Sequence, residues 1–217
     1  MRLTIRTKLT LAALLSVAVA SYGAEQETIQ LPPAQMEGGR PLMEVLKDRK
    51  TGRSFSGREL SRQVLSNLLW AGFGINRPDA EKRTAPSASN MQEIDIYVAL
   101  AEGLYVYEAS GHTLRLVLPE DIRASTGTQS YVGDAAVNLV FVADFSKMGN
   151  RPEDSKVFYS AADTGFIGQN VHLFCASEGL AAVMRGLVDR QALAKKMGLR
   201  EDQRVILAQS VGYPGEE

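Results

Sequence analysis

Residues 135–143 form a nearly unbroken apolar run interrupted only at Asn138. Such a run fits a central strand buried on both faces of a sheet. Other segments repeat the strand character. Ile94, Ile96, Val98 and Leu100 alternate with Asp95, Tyr97 and Ala99, the period of a half-buried strand. Residues 104–107 and 113–118 flank Ser110-Gly111 as an antiparallel hairpin, with His112 expected to be solvated in its turn. Helices interrupt this series. Ser61 is placed to cap a helix carrying Val64, Leu65, Leu68 and Leu69, stopped by Gly72 and Gly74. Residues 158–178 form the longest helical candidate, closed by Gly179. A short strand (181–184), a helix (189–197, then Gly198) and a last strand (204–210) complete the series. Strands that come partly as hairpins and partly between helices favour an α+β fold with a mixed sheet over a regular βαβ series. No repeat or second composition regime follows residue 40, which favours one domain over residues 41–217.

Composition narrows the function. The 24 Lys+Arg against 25 Asp+Glu leave no basic surplus for a polyanion, so no nucleic-acid partner is expected. One cysteine and two histidines permit neither an intrachain disulfide nor a four-ligand zinc site, and no metal is expected. The chain carries no phosphate-loop motif and no nucleophile elbow, and Gly72-Phe73-Gly74 ends a helix where a dinucleotide fingerprint would open one. His172 and Cys175 stand three residues apart on the long helix. A small buried cysteine is the simpler reading there than a thiolate-imidazole pair. So few titrating side chains favour chemistry brought by a cofactor.

The N-terminus reads differently. Arg2, Arg6 and Lys8 precede an apolar run over residues 9–20, with small-x-small sites at Ala18-Val19-Ala20 and Ser21-Tyr22-Gly23. This is the pattern of a secretory signal peptide over residues 1–23, with export to the periplasm as its consequence. The run is too short to span a bilayer, so no stable span is expected in the mature form. A membrane-tethering N-terminus, or a cytoplasmic protein with an intact Met1, is the competing reading. Residues 24–40, with Pro32, Pro33, Gly38 and Gly39, read as an extended arm. Removing the leader takes three positive charges and no negative ones, leaving a formal charge of about -4.

Four segments stand out. Arg49-Lys50-Thr51-Gly52-Arg53 offers three cations and a hydroxyl, the mixture a phosphate monoester needs, although a basic helix end can equally be a solvated face. Arg83-Thr84-Ala85-Pro86-Ser87-Ala88-Ser89-Asn90-Met91-Gln92 is a turn rich in small polar side chains that can hydrogen-bond a heterocycle edge, or simply cap a turn. Gly165 and Gly168 are expected to thin one edge of the long helix, beside the amides Gln169 and Asn170, which would need partners if buried. The last group is Gly179-Leu180, Val183-Met184-Arg185-Gly186 and the C-terminal Val211-Gly212-Tyr213-Pro214.

Their order and spacing over roughly residues 42–214 resemble the FMN-dependent nitroreductase superfamily, most closely the branch that includes thiazole-forming dehydrogenases. The resemblance implies a three-layer α+β fold, with a mixed, mainly antiparallel sheet flanked by helices, and an obligate homodimer. It implies that Arg49, Lys50, Thr51 and Arg53 hold the FMN phosphate and ribityl chain. Pro86, Ser87, Ser89, Asn90 and Gln92 would reach the flavin from the other subunit. Gln169 and Asn170 would lie at the dimer interface. Met184, Arg185 and Gly186 would line the flavin N5 edge, the backbone of Arg185 and Gly186 acting there with no catalytic side chain. Gln129 would be a further amide contact. The implied activity is ping-pong hydride transfer between NAD(P)H and a small electron-poor acceptor, nitroaromatic or quinone-like. An FMN dehydrogenase oxidising a heterocycle or a C–C bond, or a non-catalytic exported ligand-binding protein, are the alternatives. Two departures bear on this. Relatives carry a basic pair beyond the last strand where this sequence reads Gly215-Glu216-Glu217, and residues 144–156 are short where relatives insert helices over the substrate. Weaker FMN retention is the expected result of the first. Export also sits uneasily with mainly cytoplasmic FMN and NAD(P)H, since Arg2 and Arg6 do not form a twin-arginine signal.

Overall fold

The computed structural model describes residues 27–216, so the leader expected over residues 1–23 lies outside the described residues. The apolar run becomes β7 (Val137–Asp144), buried at every position. On one side of it lie β4 (Ile94–Leu100), β5 (Gly103–Glu108), β6 (Thr113–Leu118) and β1 (Thr28–Gln30). On the other lie β9 (Gln203–Gly212) and then β8 (Ala181–Arg185), which closes that edge. The order is β1-β6-β5-β4-β7-β9-β8, and each neighbouring pair runs antiparallel. The α+β class expected from the sequence is what the chain adopts. A separate two-stranded ribbon pairs β2 (Ile75–Arg77) with β3 (Lys82–Arg83).

Alternation along β7 splits the core into two layers, because successive side chains take opposite faces. Leu139, Phe141 and Ala143 share a cluster with Leu65, Leu68 and Leu69 of α2 (Arg62–Phe73) and with Ile167, Val171 and Cys175 of α3 (Glu153–Glu178). Val140 and Val142 join Tyr97, Ala99 and Val205 under Leu193 and Met197 of α4 (Arg190–Met197). The sheet is therefore sandwiched between helices. The ends follow from the sequence: the Ser61 hydroxyl accepts from the Val64 N–H, and Gly179 and Gly198 close α3 and α4 in left-handed conformations (φ 69° and 66°) that glycine adopts without steric cost.

From residue 27 the arm joins the sheet. Its β1 pairs with β6, and α1 (Leu42–Asp48) follows it. The Ser66 hydroxyl donates to the Pro32 carbonyl at 2.6 Å and stands 2.7 Å from His112 Nε2, while His112 Nδ1 lies 2.9 Å from the Tyr107 hydroxyl. His112 is thus not a solvated turn residue. The arm covers it, both ring nitrogens are engaged, and burial pushes its imidazole below the usual range. The glycines of α3 also divide. Gly168 faces inward, where an added Cβ would collide with the Met184 side chain, whereas Gly165 faces open space. Gln169 is exposed and Asn170 half-buried, so neither needs the buried partners the sequence suggested.

Candidate functional site

α1 ends at Arg49, whose N–H still bonds the Val45 carbonyl, and the chain then runs along the outer edge of β8. The Gly52 N–H donates to the Ala182 carbonyl at 3.0 Å. A Cβ at Gly52 would stand 2.9 Å from the Ala181 Cβ, so a side chain there would lift the segment off the strand. The C-terminal residues hold its other end, through Ser56 N–H to the Tyr213 carbonyl (3.0 Å) and Gly215 N–H to the Ser54 carbonyl (3.1 Å).

Between this segment, the last two turns of α3 and the start of β8 lies a cavity of about 260 Å³. Lys50, Gly52, Arg53 and Ser54 line one wall, His172, Cys175 and Ala176 another, and Pro214 and Gly215 close it. Among the described residues the side chains of Arg49, Lys50 and Arg53 form no hydrogen bond or ion pair. Asp48, the one carboxylate on the lining, is held by Arg40. The cavity is therefore electropositive, with unsatisfied donors suited to a phosphate-sized anion. Burial pushes the Cys175 thiol far up, with the Glu178 charge adding to it, so the sulfur is protonated and inert and the buried-cysteine reading holds. Sequence reasoning set aside a His172–Cys175 pair and gave His172 no role, missing that it lines the cavity.

At the end of β8, Met184 packs against α3 at Gly168. Arg185 turns its side chain to the opposite face of the sheet, where it is 3% exposed. Its guanidinium donates to the Thr126 carbonyl (2.7 Å), Thr126 Oγ1 (3.2 Å), Asn138 Oδ1 (3.0 Å) and Ser210 Oγ (3.1 Å). All four acceptors are neutral. Burial lowers the guanidinium's pKa to about 10, so it keeps its proton at neutral pH and is solvated by dipoles rather than by a carboxylate. This explains the polar residue Asn138 inside the apolar run. Gly127 lets the covering loop close on the guanidinium, since a Cβ there would fall 2.0 Å from Arg185 Nη1. Gln129 sits on the same loop with its buried Oε1 lacking a donor. Tyr131 packs on Phe55 with ring centroids 6.2 Å apart, tying this loop to the basic segment. Gly186 follows the last ladder pair of β8, Arg185 with Ala208, and is exposed.

The Pro86–Gln92 stretch goes elsewhere. Ser89, Asn90 and Gln92 have φ of 54°, 55° and 49°, each costing about 1–3 kcal/mol in a residue with a side chain. The loop is fixed in that state by Ala88 N–H to Asp163 Oδ2 (2.8 Å), Gln92 N–H to Ser87 Oγ (3.0 Å), Arg151 Nη2 to Ser89 Oγ (3.1 Å) and Arg83 Nε to Gln92 Oε1 (2.7 Å). Pro86, Ser89 and Asn90 remain exposed. Asp163 lies nine residues before His172 on α3, about 14 Å along the axis at 1.5 Å per residue. One chain thus brings together the basic segment, the end of β8 and the loop carrying Gln129, and leaves the Pro86–Gln92 loop against the N-terminal half of α3, away from the cavity.

Fold and site define an α+β protein whose sheet edge carries a cation-lined cavity. The family model described as the nitroreductase family matches residues 46–213. The chain belongs to the nitroreductase family, and its class is oxidoreductase. A crystal structure of an inferred nitroreductase from Ralstonia eutropha JMP134 superposes with a TM-score of 0.85 at 42% identity, over 90% of this chain and 93% of that one. An inferred nitroreductase from Methanocaldococcus jannaschii is 27% identical over 155 residues, 67% of this chain and 78% of the relative. The NADPH:FMN oxidoreductase of Vibrio harveyi, solved with NAD+, shares the fold with a TM-score of 0.61 at 21% identity, over 81% of this chain and 69% of that one.

Proposed function

We propose that the chain is a homodimeric FMN-dependent oxidoreductase that takes reducing equivalents from NAD(P)H and passes them to a small electron-poor acceptor, nitroaromatic or quinone-like. The observation that carries this reading is the cavity at the edge of β8, with Lys50 and Arg53 on its wall, Arg49 beside it, and, among the described residues, no acid paired with any of the three. Bound FMN would supply the redox chemistry. Arg49, Lys50 and Arg53 would hold its phosphate, and Thr51 offers an exposed hydroxyl in the same segment. The exposed backbone at Gly186 gives the ring a place to lie without a side chain in the way, and the orphaned Gln129 Oε1 is a ready acceptor nearby. Arg185 stiffens the end of β8 through its buried bonds, so Met184 and Gly186 are presented on a rigid edge.

Exposed apolar surface supports the dimer in this reading. Phe158 (67% exposed) and Phe166 (49%) project from α3, and Leu42 (60%) and Met43 (75%) from α1, more apolar surface on two adjacent helices than a lone soluble domain usually leaves wet. Antiparallel pairing of α3 with its copy across a two-fold axis would carry one chain's Ser87, Ser89 and Asn90 toward the other's cavity. We also propose that residues 1–23 direct export; a mature N-terminus within residues 20–24 in a periplasmic fraction is the expected result, and an intact Met1 in the cytosol refutes it. The oxidoreductase reading is tested by an anaerobic absorbance spectrum of the purified protein. A flavin band that bleaches on adding NAD(P)H and returns on adding a quinone is expected, whereas a protein that stays colourless after incubation with FMN refutes it.

A further inference from the structure

His172 is the one polar side chain on the cavity wall contributed by α3 that is itself nine-tenths buried, at 8% exposure. Among the described residues it makes no hydrogen bond, and its ring nitrogens are not sealed inside the protein but belong to the cavity lining, so an N–H there is open to a ligand.

The charges that face it come from every surrounding element. Arg49, Lys50 and Arg53 approach from the basic segment, and Asp48 is held by Arg40. On its own helix stand the protonated Cys175 and, beyond it, Glu178. The wall from β8 and the C-terminal Pro214-Gly215 adds no charge. The carbonyl ends of the last turn of α3 disfavour an anion, so the donors of the basic segment and His172 together decide that the cavity takes one. Burial first, and the Arg49 charge second, hold the imidazole below its usual range, which favours its neutral form. A phosphate placed among these cations would reverse that environment.

We propose that His172 donates a hydrogen bond to the phosphate of the bound flavin nucleotide, so that the cavity selects FMN over riboflavin and takes up a proton when FMN binds. This rests on the flavin reading above and adds to it a fourth phosphate donor, from a helix the basic motif does not reach. Two measurements separate the two. Full-length flavin-free protein is titrated with FMN and with riboflavin by fluorescence quenching at pH 6, 7 and 8, for the wild type and for His172→Asn and His172→Gln. Loss of the donor should weaken FMN about tenfold at pH 6, equivalent to about 1.4 kcal/mol, and leave riboflavin within about twofold. The loss should shrink at pH 8, and Gln, which keeps an N–H near the Nε2 position, should recover part of it. The second measurement needs no variant. The chain has only two histidines, so the ring proton signal of His172 can be followed against that of His112 in the wild type. It should titrate at higher pH with FMN bound than with riboflavin bound. Equal weakening of both flavins, or a His172 signal indifferent to the phosphate, overturns the proposal while leaving the flavin reading intact. Wild-type protein that binds neither flavin overturns both.

Discussion

Glu93 is wholly buried beneath the Pro86–Gln92 loop, neither of its carboxyl oxygens has a well-aligned donor, and Asp163, whose carboxylate holds the Ala88 N–H, stands beside it. Burial first, and repulsion from Asp163 second, push its pKa from 4.5 up to about 7. The sign follows from proton counting. Between those values the unfolded carboxyl has released its proton and the folded one keeps it, so stability present near pH 4.5 is lost as pH rises through about 7. At about 1.36 kcal/mol per unit the ceiling is about 3 kcal/mol, and about 1–2 kcal/mol remains after allowing for relaxation and screening. His112 and His172 are both pushed down by burial and act with the opposite sign in part of this window, so the test is the difference between the wild type and Glu93→Gln. The assay is urea unfolding followed by the single tryptophan, Trp70, at fixed protein concentration between pH 5 and pH 8. The variant should match the wild type within about 0.5 kcal/mol at pH 5 and exceed it by about 1–2 kcal/mol at pH 8. A difference that stays constant across the range, or a wild type that gains on the variant toward pH 8, refutes the reasoning.

Phe141 is fully buried on the central strand, and Phe141→Ala should cost about 3–5 kcal/mol in the same unfolding assay, because the interdigitated helices cannot collapse into the space left. Gly52→Val places a branched side chain against Ala181, so FMN affinity should fall at least about tenfold while the unfolding midpoint moves little, since the segment is peripheral to the core. Arg185→Met keeps the length of the side chain but strands the acceptors on Thr126, Asn138 and Ser210, and should cost about 1–3 kcal/mol, read by chemical denaturation.

Locally encoded features were legible. Alternation at residues 94–100, the Ser61 cap and the glycines after α3 and α4 each depend on neighbours within a turn or a strand. α1 was not, because six of its seven residues are exposed and Val45 alone is buried, which leaves no apolar period to detect. β1 was read as part of an arm for a related reason: its three residues are ordered by pairing with β6, more than 80 positions away. The site followed the same division. The basic pentapeptide and the Met184-Arg185-Gly186 end of β8 are contiguous and could be recognised. His172 could not be assigned, since its cavity exists only when residues 50–54 and 214–215 arrive from opposite ends of the chain. Asn138 and Arg185 gave the same difficulty. The polar residue in the apolar run was visible, and the cation it solvates, 47 residues on, was not.

The account's central claim is a flavin site built from two chains, and mixing two variants tests it. Lys50→Glu/Arg53→Glu should destroy the cavity and Ser87→Asp/Asn90→Asp the loop, and each homodimer should be isolated without flavin. A heterodimer of the two, assembled by co-expression with distinct tags, would contain one site with both parts intact. It should carry flavin at about one per two chains, read from the absorbance band. A heterodimer as colourless as its parents would contradict a shared site.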